Sequence, residues 1–235
     1  MLEIIAETLE EALTIEKNGG DRIELIASLA EGGLTPSYGL VKQIISQVSI
    51  LVNVMIRPHS ASFHYSPEEL DIMKEDARIF NELGVKHVVL GALDFEGLPD
   101  MEALEHILED TNLTATFHRA IDESIDLSAS LKLLTSNKRI THVLTSGGPG
   151  VAENNIHVLR KLIAEAEDIR IIIASGINAE NLTAIRNDLD YTMENEISEE
   201  RAYDLHVGTG VRSGSHKNTV MAEEVRHLVS VYKRL

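Results

Sequence analysis

Short β-branched apolar runs alternate with amphipathic stretches eight times along this chain. The runs predict strands over Leu2–Glu7, Asp21–Ala27, Ile50–Arg57, Lys86–Leu93, Leu113–Arg119, Ile140–Ser146, Ile169–Ser175 and Asp204–Gly208. Most are continuously apolar, the pattern of parallel strands covered on both faces. Helical spacing follows each one, from Leu9, Ala12 and Leu13 in the first to Met221, Val225, Leu228, Val229 and Tyr232 in the last. Thr8 and Glu11 have capping-box spacing, with Gly19 as the stop. Ser66-Pro67-Glu68-Glu69 supplies a cap, a first-turn proline and a second capping box.

Eight β-then-α units predict a (β/α)8 TIM barrel, an α/β fold. A doubly wound open sheet is the rival, but eight units and this length suit closure better. The 235 residues make one barrel domain, 1–235, with no internal repeat beyond the βα unit. One segment breaks the rhythm. Between the seventh helix and the eighth strand lie Asp188, Asp190, Glu194, Glu196, Glu199 and Glu200. Joining a helix to a strand, it belongs to the bottom face of a barrel and reads as a solvated excursion.

Composition narrows the function. The chain carries 38 acidic against 21 basic side chains, a net charge of −17, which argues against nucleic acid or an anionic membrane as partner. Cysteine is absent, which removes disulfides, thiolate nucleophiles and cysteine metal sites. The N-terminus lacks the basic-then-apolar pattern of a signal peptide, and no apolar run reaches the roughly 20 residues of a membrane helix. A cytoplasmic protein is the expectation.

Barrel sites gather at strand C-termini, so polar residues there are the candidates. Arg57 shares a strand face with Asn53 and Met55, and His118 with Thr114 and Thr116. Glu24 and His206 interrupt runs that are otherwise largely apolar. Buried charge is costly unless paired, so Glu24 and Arg57 are expected to meet at the barrel mouth, with His118 and His206 close by. Such a cluster could grip a small anion, move protons or hold a metal. Glycine-rich turns follow strands six, seven and eight: Ser146-Gly147-Gly148-Pro149-Gly150, Ser175-Gly176-Ile177-Asn178 and Gly208-Thr209-Gly210. Their N–H groups, with Ser146, Gly147, Gly176 and Gly208 foremost, are candidates to cradle a phosphate or carboxylate. Glycine is also needed in tight βα turns for backbone reasons alone. Asn181 reads as a helix cap. His59 and His64, after strand three, are rim residues.

With these residues assembled, the chain resembles the CutC family of copper homeostasis proteins. The matching pieces include Asn18-Gly19-Gly20-Asp21-Arg22-Ile23-Glu24-Leu25, Glu31-Gly32-Gly33-Leu34-Thr35-Pro36-Ser37 and Met55-Ile56-Arg57-Pro58. They continue with Thr116-Phe117-His118-Arg119-Ala120, Asp122, Val143-Leu144-Thr145-Ser146-Gly147, Ala179-Glu180-Asn181-Leu182 and His206. The resemblance implies a (β/α)8 barrel and a cytoplasmic link to copper, with no established reaction. It places Glu24, Arg57, His118, Arg119, Asp122 and His206 at the family's polar strand ends. Many relatives carry cysteines where this chain has Ile5, Ala6 and Ile26. Copper here would therefore fall to His118, His206 and Met55, although cuprous ion prefers soft sulfur ligands.

Two readings follow. One is a copper-binding homeostasis protein. The other is a barrel enzyme acting on a small anionic metabolite. In that reading Arg57 holds the anion, His118 is the general acid or base because its ordinary pKa lies nearest neutrality, and Asp122 or Glu24 orients it. No covalent nucleophile is evident, so proton transfer, isomerisation or lyase chemistry fits better than acyl transfer. A third, non-catalytic reading is a metabolite-sensing dimer, since two-fold association is the commonest symmetry.

Overall fold

The computed structural model of the chain describes residues 1–190 and 203–234. Eight parallel strands, β1 (Leu2–Ala6), β2 (Arg22–Leu25), β3 (Leu51–Met55), β4 (His87–Leu90), β5 (Thr114–Phe117), β6 (Ile140–Thr145), β7 (Arg170–Ile173) and β8 (Tyr203–Val207), close in sequence order. The seam is β1 beside β8, with Leu2 opposite Leu205 and Ile4 opposite Val207. That pairing excludes the open-sheet rival. The helices are α1 (Leu9–Lys17), α2 (Tyr38–Gln47), α3 (Pro67–Glu82), α4 (Met101–Leu108), α5 (Leu127–Thr135), α6 (Ile156–Glu165), α7 (Leu182–Asp190) and α8 (Ala222–Arg234). None of the described helices is long and apolar enough to cross a membrane.

Capping follows the sequence in part. Ser66 and Glu69 form the full reciprocal box at α3, with Pro67 in its first turn. At α1 only half the box forms. The Thr8 hydroxyl accepts from Glu11 N–H, but the Glu11 carboxylate accepts from Glu7 N–H and binds the buried Arg212 instead. Arg212 also donates to the Ile5 carbonyl, which ties the loop after β8 back to β1. Asp188 and Asp190 lie at the end of α7, while Glu194, Glu196, Glu199 and Glu200 fall outside the described residues.

Strand alternation splits the buried side chains into two environments. Ile4, Ala6, Ile23, Leu25, Val54 and Ile56 join the large apolar layer between strands and helices. Ile5, Ile26, Met55 and Val89, on the opposite faces, form a small separate cluster inside the barrel, and Leu144, Ile172 and Ala174 form another. The base of the lumen is ionic. Glu3 accepts from Arg22 Nε at 2.6 Å, Asn53 Nδ2 at 3.0 Å and His206 Nδ1 at 2.8 Å. Asp204 takes Arg22 at 2.9 Å and Arg170 at 2.6 Å. His87 bonds the Thr114 and Thr116 hydroxyls at 2.7 and 2.8 Å, and its ring meets His142 edge-on at 5.2 Å. The apolar runs therefore describe the helix-facing half of each strand, and mutual pairing carries the polar half.

The histidine pair makes stability depend on pH. Burial lowers the pKa of His87 to about 3 and that of His142 to about 4, from 6.5, so both are neutral in the fold. Below pH 6.5 the unfolded chain takes up protons that the folded chain refuses, so stability falls as pH drops toward 4. The slope is about 1.4 kcal/mol per pH unit per histidine. A His87→Gln, His142→Gln variant is expected to lose less melting temperature between pH 7 and pH 5 than wild type. An equal loss in calorimetric scans would assign the acid sensitivity to other groups.

Candidate functional site

A cavity of about 610 Å³ opens at the C-terminal end of the barrel. Glu24, Met55, Arg57, His118, Arg119, Asp122, Gly176, His206 and Gly208 all line it, so the strand-end expectation holds for these residues. Ser146 and Gly147 do not.

The floor is built around His206. Its Nδ1 donates to Glu3, and its Nε2 lies 3.8 Å from Glu24 Oε2. Burial opposes the Glu3 charge, but Arg22 and His206 outweigh it and hold that carboxyl well below the ordinary range. Burial likewise opposes protonated His206, and the flanking Glu24 and Glu3 raise its pKa nonetheless. At Glu24 the balance falls the other way. Burial first, then the negative Glu3, pushes its carboxyl up to about 7 against the pull of His206. Its Oε1 is buried with no protein partner. Glu24 and Arg57 form no ion pair, which corrects the expected meeting: Glu24 is balanced by His206, across the lumen.

Arg57 is held by the loop after β2. Thr35 N–H donates to the Arg57 carbonyl and the Thr35 hydroxyl accepts from Arg57 N–H, both at 2.9 Å. The Glu31 carbonyl accepts from Nη1 at 3.3 Å. Gly32 and Gly33 carry this loop through positive φ, which brings its backbone against the guanidinium. Phe63 sits under the guanidinium at 4.5 Å and beside the His118 ring at 5.0 Å. Arg57 Nε makes no hydrogen bond of ordinary geometry, and the buried Tyr65 hydroxyl is the polar group that interacts with its guanidinium.

His118 differs from its expected role. Burial, then the nearby Arg57, lowers its pKa to about 3, so it is neutral and does not titrate near pH 7. Nδ1 accepts from Ala120 N–H at 3.2 Å, which leaves the ring proton on Nε2. That Nε2 is buried without a protein partner. His118, a residue of the cavity lining, thus carries its N–H on the ring nitrogen that no protein group accepts from.

Asp122 is engaged by the protein itself. Its carboxylate accepts from the Thr145 hydroxyl at 2.5 Å, from Ser146 N–H at 3.0 Å and Oγ at 2.8 Å, and from Gly148 N–H at 3.0 Å. It also takes Arg119 Nε at 2.9 Å, while Arg119 Nη2 reaches Ser146 Oγ at 2.9 Å. So Asp122 is a latch that aligns Arg119 and locks the turn after β6. The expected anion cradle at Ser146 and Gly147 is corrected with it, because Gly147 N–H is also taken, by Thr145 Oγ1 at 2.9 Å. At α7, Asn178 and Asn181 cap one another: Asn181 Oδ1 accepts from Asn178 N–H, and Asn178 Oδ1 from Asn181 N–H.

Glu3, Glu24 and His206 each offer a ligand atom within 4.8 Å of one another, so the group could hold a cation. His118 is not part of it. Copper fits this set poorly. Met55 is the single sulfur on the cavity, the Nε2 of His118 carries a proton, and both Glu3 oxygens already serve Arg22, Asn53 and His206. Sequence reasoning assigned no role to Glu3 or Phe63, and named Asn53 and Thr35 without the bonds they make. Glu3 and Asn53 each left a signal, as a polar residue inside an otherwise apolar run.

Comparison with known proteins fits the fold and the residues. The CutC family model matches residues 1–197. This chain belongs to the CutC family. It is 38% identical over 183 residues to a family protein CutC of Salmonella agona (strain SL483), covering 77% of this chain and 73% of that one. A crystal structure from Streptococcus agalactiae, described as a copper homeostasis protein CutC, superposes with a TM-score of 0.77 at 32% identity, covering 89% of this chain and 98% of that one. Phosphoribosyl anthranilate isomerase from Thermococcus kodakaraensis shares the barrel alone, at a TM-score of 0.62 and 13% identity, covering 100% of this chain and 99% of that one.

Asp122→Asn places an amide where several N–H groups now converge, so some buried donors lose their acceptor. The expected cost is about 2 kcal/mol of stability. Urea denaturation measures it, and a midpoint within error of wild type would show that the latch carries no load.

Proposed function

We propose that this chain binds a small anionic metabolite in the barrel-mouth cavity and moves a proton on it, and that the family-level link to copper homeostasis runs through that chemistry. One observation carries the reading. Three buried polar atoms that make no protein hydrogen bond of ordinary geometry, Arg57 Nε, His118 Nε2 and Glu24 Oε1, belong to residues that line one cavity. Leaving such atoms unpaired costs about 1–3 kcal/mol each, a loss that a ligand with matching groups would recover.

The roles follow from charge. Arg57 and the latched Arg119 attract the anion, and the guanidinium fork suits planar oxyanions. His118, a neutral N–H donor, stabilises negative charge developing on a carbonyl oxygen. Glu24 takes a proton from the adjacent carbon, the electron pair moves onto that oxygen, and Glu24 returns the proton to the carbon or to a neighbouring atom. A carboxyl with a pKa of about 7 is suited to both directions of transfer at neutral pH. The His206–Glu3 pair beneath it holds the floor in place. No covalent intermediate is needed.

Wild type in D₂O is expected to exchange the C–H next to the carbonyl of bound 2-oxo acids, at a rate that rises with pH through about 7. Glu24→Gln should abolish the exchange and keep cooperative melting. Binding through Arg57 without any exchange, followed by NMR, would overturn the proton-transfer step.

The direct-copper reading has its own test. In a copper(I) competition against a coloured chelator, wild type is expected to lose to even a weak chelator. Tight stoichiometric binding that disappears in His118→Ala, His206→Ala would reverse this and make the barrel itself the copper carrier.

A further inference from the structure

We infer that the anion this cavity takes is a carboxylate and not a phosphate ester. The inference rests on the anionic-ligand reading above. Barrels usually bind phosphate with the backbone N–H groups of the turns after their last strands. Here the chain's own oxygens occupy the N–H groups of the turn after β6, two at the start of α7 and that of Ser213 after β8. After β6, the N–H groups of Ser146 and Gly148 donate to Asp122, and that of Gly147 to Thr145. At the start of α7, the N–H groups of Glu180 and Asn181 donate to Asn178 Oδ1. After β8, Glu224 takes Ser213 N–H and its hydroxyl, both at 2.8 Å. Glu224 and Glu180, with His227 as the one histidine, also line the hollow between the last two turns, where a phosphate would otherwise sit.

Packing adds to this. A side chain at Gly210 would meet the Ile177 carbonyl at 2.2 Å, so that glycine is needed for turn-to-turn contact. At Gly147 a Cβ would meet Asn155 at 2.9 Å. These two glycines make room for the protein itself, not for a ligand.

The main cavity points the same way. Three basic side chains, Arg57, Arg119 and His206, line it with four carboxyl side chains, Glu24, Glu31, Asp122 and Glu123, and Arg119 is already paired with Asp122. A phosphate monoester near neutral pH carries close to two negative charges and three acceptor oxygens. A carboxylate carries one charge and two oxygens. The buried donors on this cavity that make no protein hydrogen bond of ordinary geometry are also two, Arg57 Nε and His118 Nε2. They sit against the same Phe63 ring. The match is to one carboxylate, with the rest of a small molecule extending toward Glu24.

Isothermal titration of the full chain with pyruvate and malonate, against inorganic phosphate and glycerol 3-phosphate, tests this. The carboxylates are expected to bind at least tenfold tighter than either phosphate. Arg57→Lys, which keeps the charge and loses the fork, should weaken the carboxylates about tenfold while melting stays cooperative. Glu224→Gln should strengthen phosphate binding and leave the carboxylates unchanged. Phosphates that bind tighter than carboxylates, and lose affinity in Arg57→Lys, would overturn the ligand class but keep the anion site. No probe responding to Arg57→Lys would overturn the anion site as well.

Discussion

The Glu3 carboxylate organises this barrel. It lies at the base of the lumen and receives Arg22 from β2, Asn53 from β3 and His206 from β8. Those bonds span the seam at which the first and last strands close. An unpaired carboxylate in that position would be strongly unfavourable, so the strands must arrive in the one register that supplies its donors. Asp204 repeats the arrangement on β8 with Arg22 and Arg170. The apolar layer under the helices supplies most of the burial, but non-directional packing tolerates small shifts that a network of charges does not.

The site inherits its character from that base. Because Glu3 satisfies the Nδ1 side of His206, the other ring nitrogen is turned toward Glu24. Because Glu3 is itself negative, it raises the cost of charging Glu24. One ionised carboxylate thus prepares a second to exchange protons near neutrality. Across the cavity the same logic works through cations: burial and Arg57 keep His118 neutral, and because Nδ1 accepts from Ala120 N–H, Nε2 is the nitrogen left to donate. Two groups that look alike in sequence, a strand-end glutamate and a strand-end histidine, exchange the roles their ordinary pKa values would suggest.

Asp122 shows how a polar residue can sit at a site without reacting in it. With its hydrogen-bonding capacity filled by the turn after β6, it has none left for a ligand, and its contribution is the aim of Arg119. The loop after β2 does the same for Arg57 through Thr35 and the Glu31 carbonyl. Both arginines are therefore presented on fixed supports, which would lower the ordering cost of gripping the proposed anion.

The sequence by itself determined the architecture. Eight apolar runs with helical stretches between them leave little choice but closure, and period-two counting from Asn53 through Met55 to Arg57 separates lumen from helix face. It also put Glu24, Arg57, His118 and His206 at the mouth, because barrel topology gathers the C-terminal ends of the strands there. Only the tertiary structure decided what those residues do. Glu24 pairs with His206 and not with Arg57, His118 is neutral, and the glycine turn after β6 is filled by Asp122. The reason is physical. Periodicity reports which side of a strand a residue faces, a local property of the backbone. Ionisation and free hydrogen-bonding capacity depend on distances between strands far apart in sequence, as between Glu3 and His206, and these exist only once the barrel has closed.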